Sequence, residues 1–307
     1  MHGSYAANMA VSGCDLLLAF GVRFDERSTA KASLFAPAAR IVHFNVEPGE
    51  INKIIPVQVA VPGDLQESLP FFAGLVEPLA EAVKEQTAPW REQGEEMKRE
   101  VPCSAHGCTG GISPETALKQ AAARAPQDTL VVTDVGQHQM WAAQYIRHTK
   151  SRGFITSGGL GTMGFGYGAA IGAQMALGRE QRVVMFTGDG SFHMNLNEAC
   201  TAVSYELPII TVIFNNSVLG MVRQWQTTFY EKRYSQTDPH RRTDFVKLAE
   251  GFGLKGYRCT NLPEFQAAFA DALKQKGPTW IECIIDKDEK VLPMIPGGGD
   301  INDIIME

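Results

Sequence analysis

"RVVMFTGDGSFHMNLNEACTAVSYELPIITVIFNN", residues 182–216, holds two short apolar runs separated by a more polar stretch of helix length. Strand, helix and strand in that order form the repeating unit of an open parallel α/β sheet. The first run delivers Asp189 to the carboxyl end of its strand. The second delivers Asn215 and Asn216 to the same edge, where ligands of open α/β sheets bind. Asp189 and Asn216 stand 27 residues apart (216 − 189 = 27), enough for one helix and one strand, so their side chains can converge on one point. Carboxylate and amide oxygens are hard ligands suited to Mg²⁺, which completes its shell with phosphate oxygens. Gly188 and Gly190 let backbone approach a bulky anion, and the following helix is expected to offer free N–H groups and a positive dipole end to a diphosphate. Singly, Asp-Gly and Asn-Asn are turn dipeptides; together, at two strand ends, they read as a metal–diphosphate clamp.

The same rhythm extends in both directions. Downstream come a helical "TDFVKLAEGFG", a last helix "LPEFQAAFADALKQ" and a last strand "TWIECIID"; upstream come the helix "SPETALKQAAARA", opened by Ser-Pro-Glu, the strand "TLVVTDVG" ending at Asp134, and a glycine-rich loop feeding a small-residue helix. This doubly wound domain, residues 113–289, reads as complete. Residues 87–112 are charged, then rich in Gly and Cys, and lack apolar periodicity, which predicts a linker. Before it, "DLLLAFG", "ARIVHFN" and "VQVAVPG" are strand-length runs, followed by a closing helix capped by Asp64. Residues 1–86 therefore read as the last half of a second, Rossmann-like α/β domain, and 290–307 as a C-terminal arm.

The 307 residues are 44% hydrophobic and 20% charged, and 28 Lys plus Arg against 34 Asp plus Glu leave a net charge of −6 with no long block of one sign. That argues against nucleic acid as a partner. No apolar run is long enough to span a bilayer and "MHGSYAAN" lacks the features of a signal peptide, so no membrane partner is expected and the location expected is cytoplasmic or an organelle stroma. Cys14, Cys200, Cys259 and Cys283 lie in or beside apolar segments that suit buried thiols, and no disulfide framework is expected. Cys103, His106 and Cys108 suggest part of a metal site, but no second pair with zinc spacing accompanies them. Gly159, Gly161 and Gly164 spell GxGxxG, and with Asp189 as a ribose-binding acid they would suit a dinucleotide. A dinucleotide leaves Asn216 unexplained.

The stretch from Gly188 to Asn216 matches the GDG…NN signature of thiamine diphosphate enzymes, and "NNSVLGMVRQWQ" continues it in a way that resembles the catalytic subunits of acetolactate synthase. "MHGSYAAN", "DLLLAFGVRFDERST", "ARIVHFNVEPGEI", "DVGQHQMWAAQY", "SGGLGTMGFGYGAAIGA" and "VLPMIPGGGDINDII" each have counterparts there, in order. The resemblance implies Mg²⁺ on Asp189, Asn216 and the backbone carbonyl of Val218. It implies thiamine diphosphate lying along Gly161, Thr162 and Met163, with Gln137, His138, Gly188, Gly190, Ser191, Ser217, Leu219, Gly220 and Met221 around its diphosphate. Met163 would prop the cofactor in a bent form, and Trp225 would shape the pocket for the second substrate. FAD, in a structural role, would meet Gly21, Val22, Arg23, Phe24 and Asp25, then Asn45 and Val46, then Asp64 and Leu65. Asn45 stands where the family often has an acid, so the ribose contact would be a neutral hydrogen bond.

The activity implied is decarboxylation of pyruvate and its carboligation to a second 2-keto acid, pyruvate or 2-ketobutyrate, a transferase step of isoleucine and valine biosynthesis. The partners implied are a second copy of the chain, in a homodimer or higher oligomer, and a small regulatory subunit. In the family the activating glutamate belongs to a pyrimidine-binding domain upstream, and no glutamate here falls in a matching motif. The chain alone is therefore expected to be inactive and at best a weak cofactor binder. Two alternatives stay open: another thiamine diphosphate carboligase or decarboxylase, of the glyoxylate or sulfoacetaldehyde type, or a non-catalytic truncated binding module.

Overall fold

In the computed structural model of the chain, residues 1–101 and 110–307 are described; Cys103, His106 and Cys108 lie outside them. The chain divides into two units, one formed by residues up to 103 together with 292–307, the other by 104–291. Both sheets are parallel throughout.

The first unit holds a three-stranded sheet of β1 (Leu16–Phe20), β2 (Arg40–Asn45) and β3 (Val59–Pro62), in that spatial order. Helix α1 (Tyr5–Gly13) precedes it, a single turn α2 (Glu26–Thr29) follows β1, and α3 (Leu65–Val76) follows β3. Asp64 caps α3, its side chain accepting the N–H of Gln66 at 2.8 Å. The core is small: Ala19, Phe24, Ile41 and Ile55 are buried together, and Phe72 of α3 packs edge-on against Phe44. Helix α4 (Ala80–Gln86) and then α5 (Ala88–Glu100) continue the chain. The first part of the expected linker is thus helical. Its charged residues, with Glu95 and Lys98 paired across one turn at 2.5 Å, are good helix formers even without an apolar stripe.

The second unit holds six strands in the order β5-β4-β6-β7-β9-β8: β4 (Leu130–Thr133), β5 (Phe154–Ile155), β6 (Val183–Gly188), β7 (Ile210–Asn215), β8 (Lys255–Cys259) and β9 (Thr279–Ile284). The central strands are nearly continuous apolar runs because helices cover both faces. Against one face lie α8 (Phe165–Leu177), α10 (Ala199–Ser204) and α12 (Phe245–Phe252), burying Val183, Met185, Tyr167, Phe192, Phe245 and Trp280 in one cluster. Helices α6 (Pro114–Arg124), α7 (Gln137–Tyr145) and α13 (Leu262–Ala272) complete the unit, with Trp141 of α7 set edge-on to Phe214. Ser113 caps α6, accepting the N–H of Thr116 at 3.4 Å.

The segment expected as one helix after Gly190 is broken: α9 (Asp189–Phe192) is a single turn, and α10 begins only at Ala199. Cys259 and Cys283 are buried, whereas Cys14 is half-buried and Cys200 exposed. Cys200 turns outward because its neighbours Ala199 and Ala202 take the inward face of α10. Among the described residues no helix is long and apolar enough to cross a membrane.

Candidate functional site

Strand β4 connects outward to β5, and β6 connects in the opposite direction to β7. Between their carboxyl ends the connections diverge, which opens the crevice used by doubly wound folds. Gly188 pairs with Phe214 across β6 and β7, so Asp189 and Asn216 emerge side by side. The Asp189 carboxylate is buried; burial pushes it up to about 6 against the pull of the Arg241 guanidinium and, more weakly, of the nearby backbone N–H groups of Gly190, Asp189 and Asn216.

The turn after β7 is tightly held. Oδ1 of Asn215 accepts the N–H of Ser217 at 2.9 Å, Oδ1 of Asn216 accepts that of Val218 at 3.2 Å, and Ser217 adopts a left-handed φ of 60°. Helix α11 (Gly220–Phe229) starts at once, and among the described residues no side chain caps its first N–H groups. At Gly220 a Cβ would overlap Oε1 of Gln137 and stand 2.7 Å from Nδ2 of Asn216, so any side chain there would displace these two amides. Gln137 is buried and donates through Nε2 to Oε1 of Gln224 at 3.0 Å and to the carbonyl of Glu289 at 2.8 Å.

His138, in the first turn of α7 and not at a strand end, is buried, and burial pushes its imidazole down to about 3. Its ring fills the space that side chains at Gly136 and Gly188 would need. Nε2 is buried without a partner among the described residues. An orphaned polar atom at a cavity wall marks where a further polar group belongs. The same cavity is lined by Gln137, Met163, Gly188, Asp189, Gly190, Ser191, Asn216, Val218, Leu219, Gly220 and Met221; Gly161, Thr162 and Ser217 stand outside it. So does Trp225, which lies on α11 edge-on to Phe229 with ring centroids 5.2 Å apart. The residues fit a diphosphate and a small hard cation: one acid, amide and carbonyl oxygens, open glycine backbone and an unmatched ring nitrogen. The positive helix end expected after Gly190 is only one turn long. Uncapped α11 is the longer helix that begins at this cavity.

Residues 134–283 match the model of the C-terminal thiamine pyrophosphate-binding domain of thiamine pyrophosphate enzymes, and residues 1–71 match the central domain of the same enzymes. The chain belongs to the thiamine pyrophosphate enzymes. It is 43% identical over 305 residues to the acetolactate synthase isozyme 2 large subunit of Escherichia coli, covering 99% of this chain and 54% of that protein. It is 45% identical over 300 residues to the large subunit from Parasynechococcus marenigrum, 97% and 48% of the two chains. It is 43% identical over 320 residues to the mitochondrial acetolactate synthase catalytic subunit of Saccharomyces cerevisiae, 99% and 45%. The chain spans about half the length of the curated relatives it matches.

Two residues at this thiamine pyrophosphate-enzyme crevice escaped the sequence reading. Asp134, buried at the end of β4, accepts N–H groups of Val135 at 2.7 Å, Gly164 at 2.9 Å and Gly166 at 3.3 Å, tying the glycine-rich loop to the sheet edge; burial nonetheless raises its carboxyl. Its signal was an acid closing an apolar run before Val-Gly. Arg241, whose Nη1 lies 3.8 Å from where a Gly190 Cβ would be, sits in a polar segment with no periodicity to flag it.

In the first unit, Gly21, with φ of 63°, follows β1, and Arg23 pairs with Asp25, which caps α2. Val46 is exposed. Asn45 is buried, and its amide is already engaged, Nδ2 donating to the carbonyl of Val22 at 3.1 Å and Oδ1 accepting the N–H of Glu47 at 3.0 Å. The amide expected to meet a ribose is thus committed to fixing the strand end.

Proposed function

We propose that this chain carries the diphosphate and Mg²⁺ half of an acetolactate synthase active site, in an enzyme that decarboxylates pyruvate and joins the remaining two carbons to pyruvate or 2-ketobutyrate. The observation that carries the reading is the side-by-side emergence of Asp189 and Asn216 beside the orphaned Nε2 of His138. Asp189, Asn216 and the Val218 carbonyl are the metal ligands in this reading. Gln137, His138, Gly190, Ser191 and the 217–221 turn surround the diphosphate, while Gly161, Thr162 and Met163 lie along the thiamine, with Met163 as the prop. When bound, thiamine diphosphate supplies the carbon that attacks a 2-keto acid and the electron sink that lets carbon dioxide leave. The residues here bind, orient and shield. Asp189 neutralises the cation, and Trp225 borders the second substrate.

FAD in a structural role is proposed at the three strand ends, on 21–25, 45–46 and 64–65. Contacts there come from backbone and not from the engaged amide of Asn45. Assembly as a homodimer or higher oligomer with a small regulatory subunit completes the proposal, in line with the "large subunit" of the relatives' names. The test is calorimetric titration of thiamine diphosphate with Mg²⁺ into the assembled enzyme, as wild type and as Asp189→Ala, paired with product analysis on pyruvate, alone and with 2-ketobutyrate. Binding lost in the variant, with 2-acetolactate and 2-aceto-2-hydroxybutyrate as products, is expected. Unchanged binding, or a different product, overturns the reading.

A further inference from the structure

Glu282 is buried at 2% exposure in β9, where a carboxylate is kept only if charge and hydrogen bonds compensate for lost water. Both of its oxygens are matched. Nδ2 of Asn215 donates to Oε1 at 2.7 Å, and Nε of Arg258, on neighbouring β8, donates to Oε2 at 2.7 Å. Nη2 of the Arg258 guanidinium donates to Asp244, the cap of α12, at 2.8 Å. Because Nδ2 of Asn215 is committed to Glu282, its Oδ1 faces the turn, where it takes the N–H of Ser217 at 2.9 Å and the Ser217 hydroxyl at 3.2 Å. That contact holds Ser217 in the left-handed region, which an L residue enters only at a cost. A continuous series of contacts therefore runs from Asp244 through Arg258, Glu282 and Asn215 to the turn carrying Asn216 and Val218.

We infer that Glu282, paired with Arg258, is a positioning residue: by orienting the Asn215 amide it sets the 216–218 turn in its metal-binding shape before Mg²⁺ arrives. The inference rests on the Mg²⁺ site proposed above. Its physical content is preorganisation. A turn held by a buried, charge-compensated amide needs no ordering when the cation binds. Outer partners of metal ligands typically change metal affinity by about 10–100-fold when removed. A pair serving only to pin β8 to β9 would change folding stability and leave metal affinity alone.

The test is a double-mutant cycle with Glu282→Gln, Asn215→Ala and both together. Mg²⁺ is titrated calorimetrically into the assembled enzyme at saturating thiamine diphosphate, and each ligand-free variant is melted. The expected result is Mg²⁺ binding weakened about 10-fold in each single variant, with the double variant no weaker than Asn215→Ala, since Glu282 acts through that amide. Additive losses, or wild-type affinity in Glu282→Gln, overturn the inference and leave the metal site standing. An Asp189→Ala control that binds like wild type, or a wild type that does not bind, overturns the metal site and the inference with it. Should Glu282→Gln not fold, amide hydrogen exchange at Ser217 in Arg258→Lys decides. Exchange faster than in wild type is expected, and unchanged protection overturns the inference.

Discussion

At Gly220 a single hydrogen in place of a side chain decides whether Gln137 and Asn216 can stand together. An added Cβ meets both, so Gly220→Ala is expected to destabilise the protein by about 1–3 kcal/mol and to abolish Mg²⁺-dependent thiamine diphosphate binding, as urea unfolding and calorimetry would measure. Gly172, inside α8 with nothing within 4 Å of its would-be Cβ, should behave oppositely. Gly172→Ala is expected to stabilise by roughly 0.5–1 kcal/mol, seen as a higher urea midpoint with binding unchanged. Composition does not separate these two glycines; neighbours distant in sequence do. Asp189 and Asn216 were legible because their spacing encodes a strand–helix–strand unit. Asp134 and Glu282 were not, since an acid in an apolar run looks alike whether it caps a loop, orients an amide or faces solvent.

Elements were legible where apolar runs are long and buried on both sides, as in β6, β7 and β9. Strand β8, KGYRC, escaped because it lies at the sheet edge and buries only Cys259, and α5 because it has no buried residue at all. Strand β8 is clasped to α13 by Asp271, which takes Lys255 at 2.6 Å, the Tyr257 hydroxyl, and Gln275 at 2.9 Å. The Lys255 ammonium, then the Tyr257 hydroxyl, hold the Asp271 carboxyl down at about 2. A folded-state value below the ordinary 3.8 means that this contribution to stability is present above about pH 4 and lost as pH falls from there through 2. Asp271→Asn should therefore show a shallower fall in melting temperature than wild type between pH 5 and about 2, measured at constant ionic strength.

For the molecule as a whole, the site depends on the core beneath it. Phe192, the last residue of α9, is 1% exposed and packs against Tyr167, Trp280 and Phe245. Phe192→Ala is expected to cost about 3–5 kcal/mol, read from chemical unfolding, and to weaken cofactor binding because α9 begins at Asp189. From its sequence alone this chain was determinable as a parallel α/β protein with an acid and an amide at one sheet edge, because apolar period and strand-end position are local properties written residue by residue. Only the tertiary structure decided the strand order, the single-turn α9, the committed amide of Asn45 and the series of contacts from Asp244 to Ser217. Each depends on pairs far apart in the chain, and no local pattern records which distant donor meets which buried acceptor.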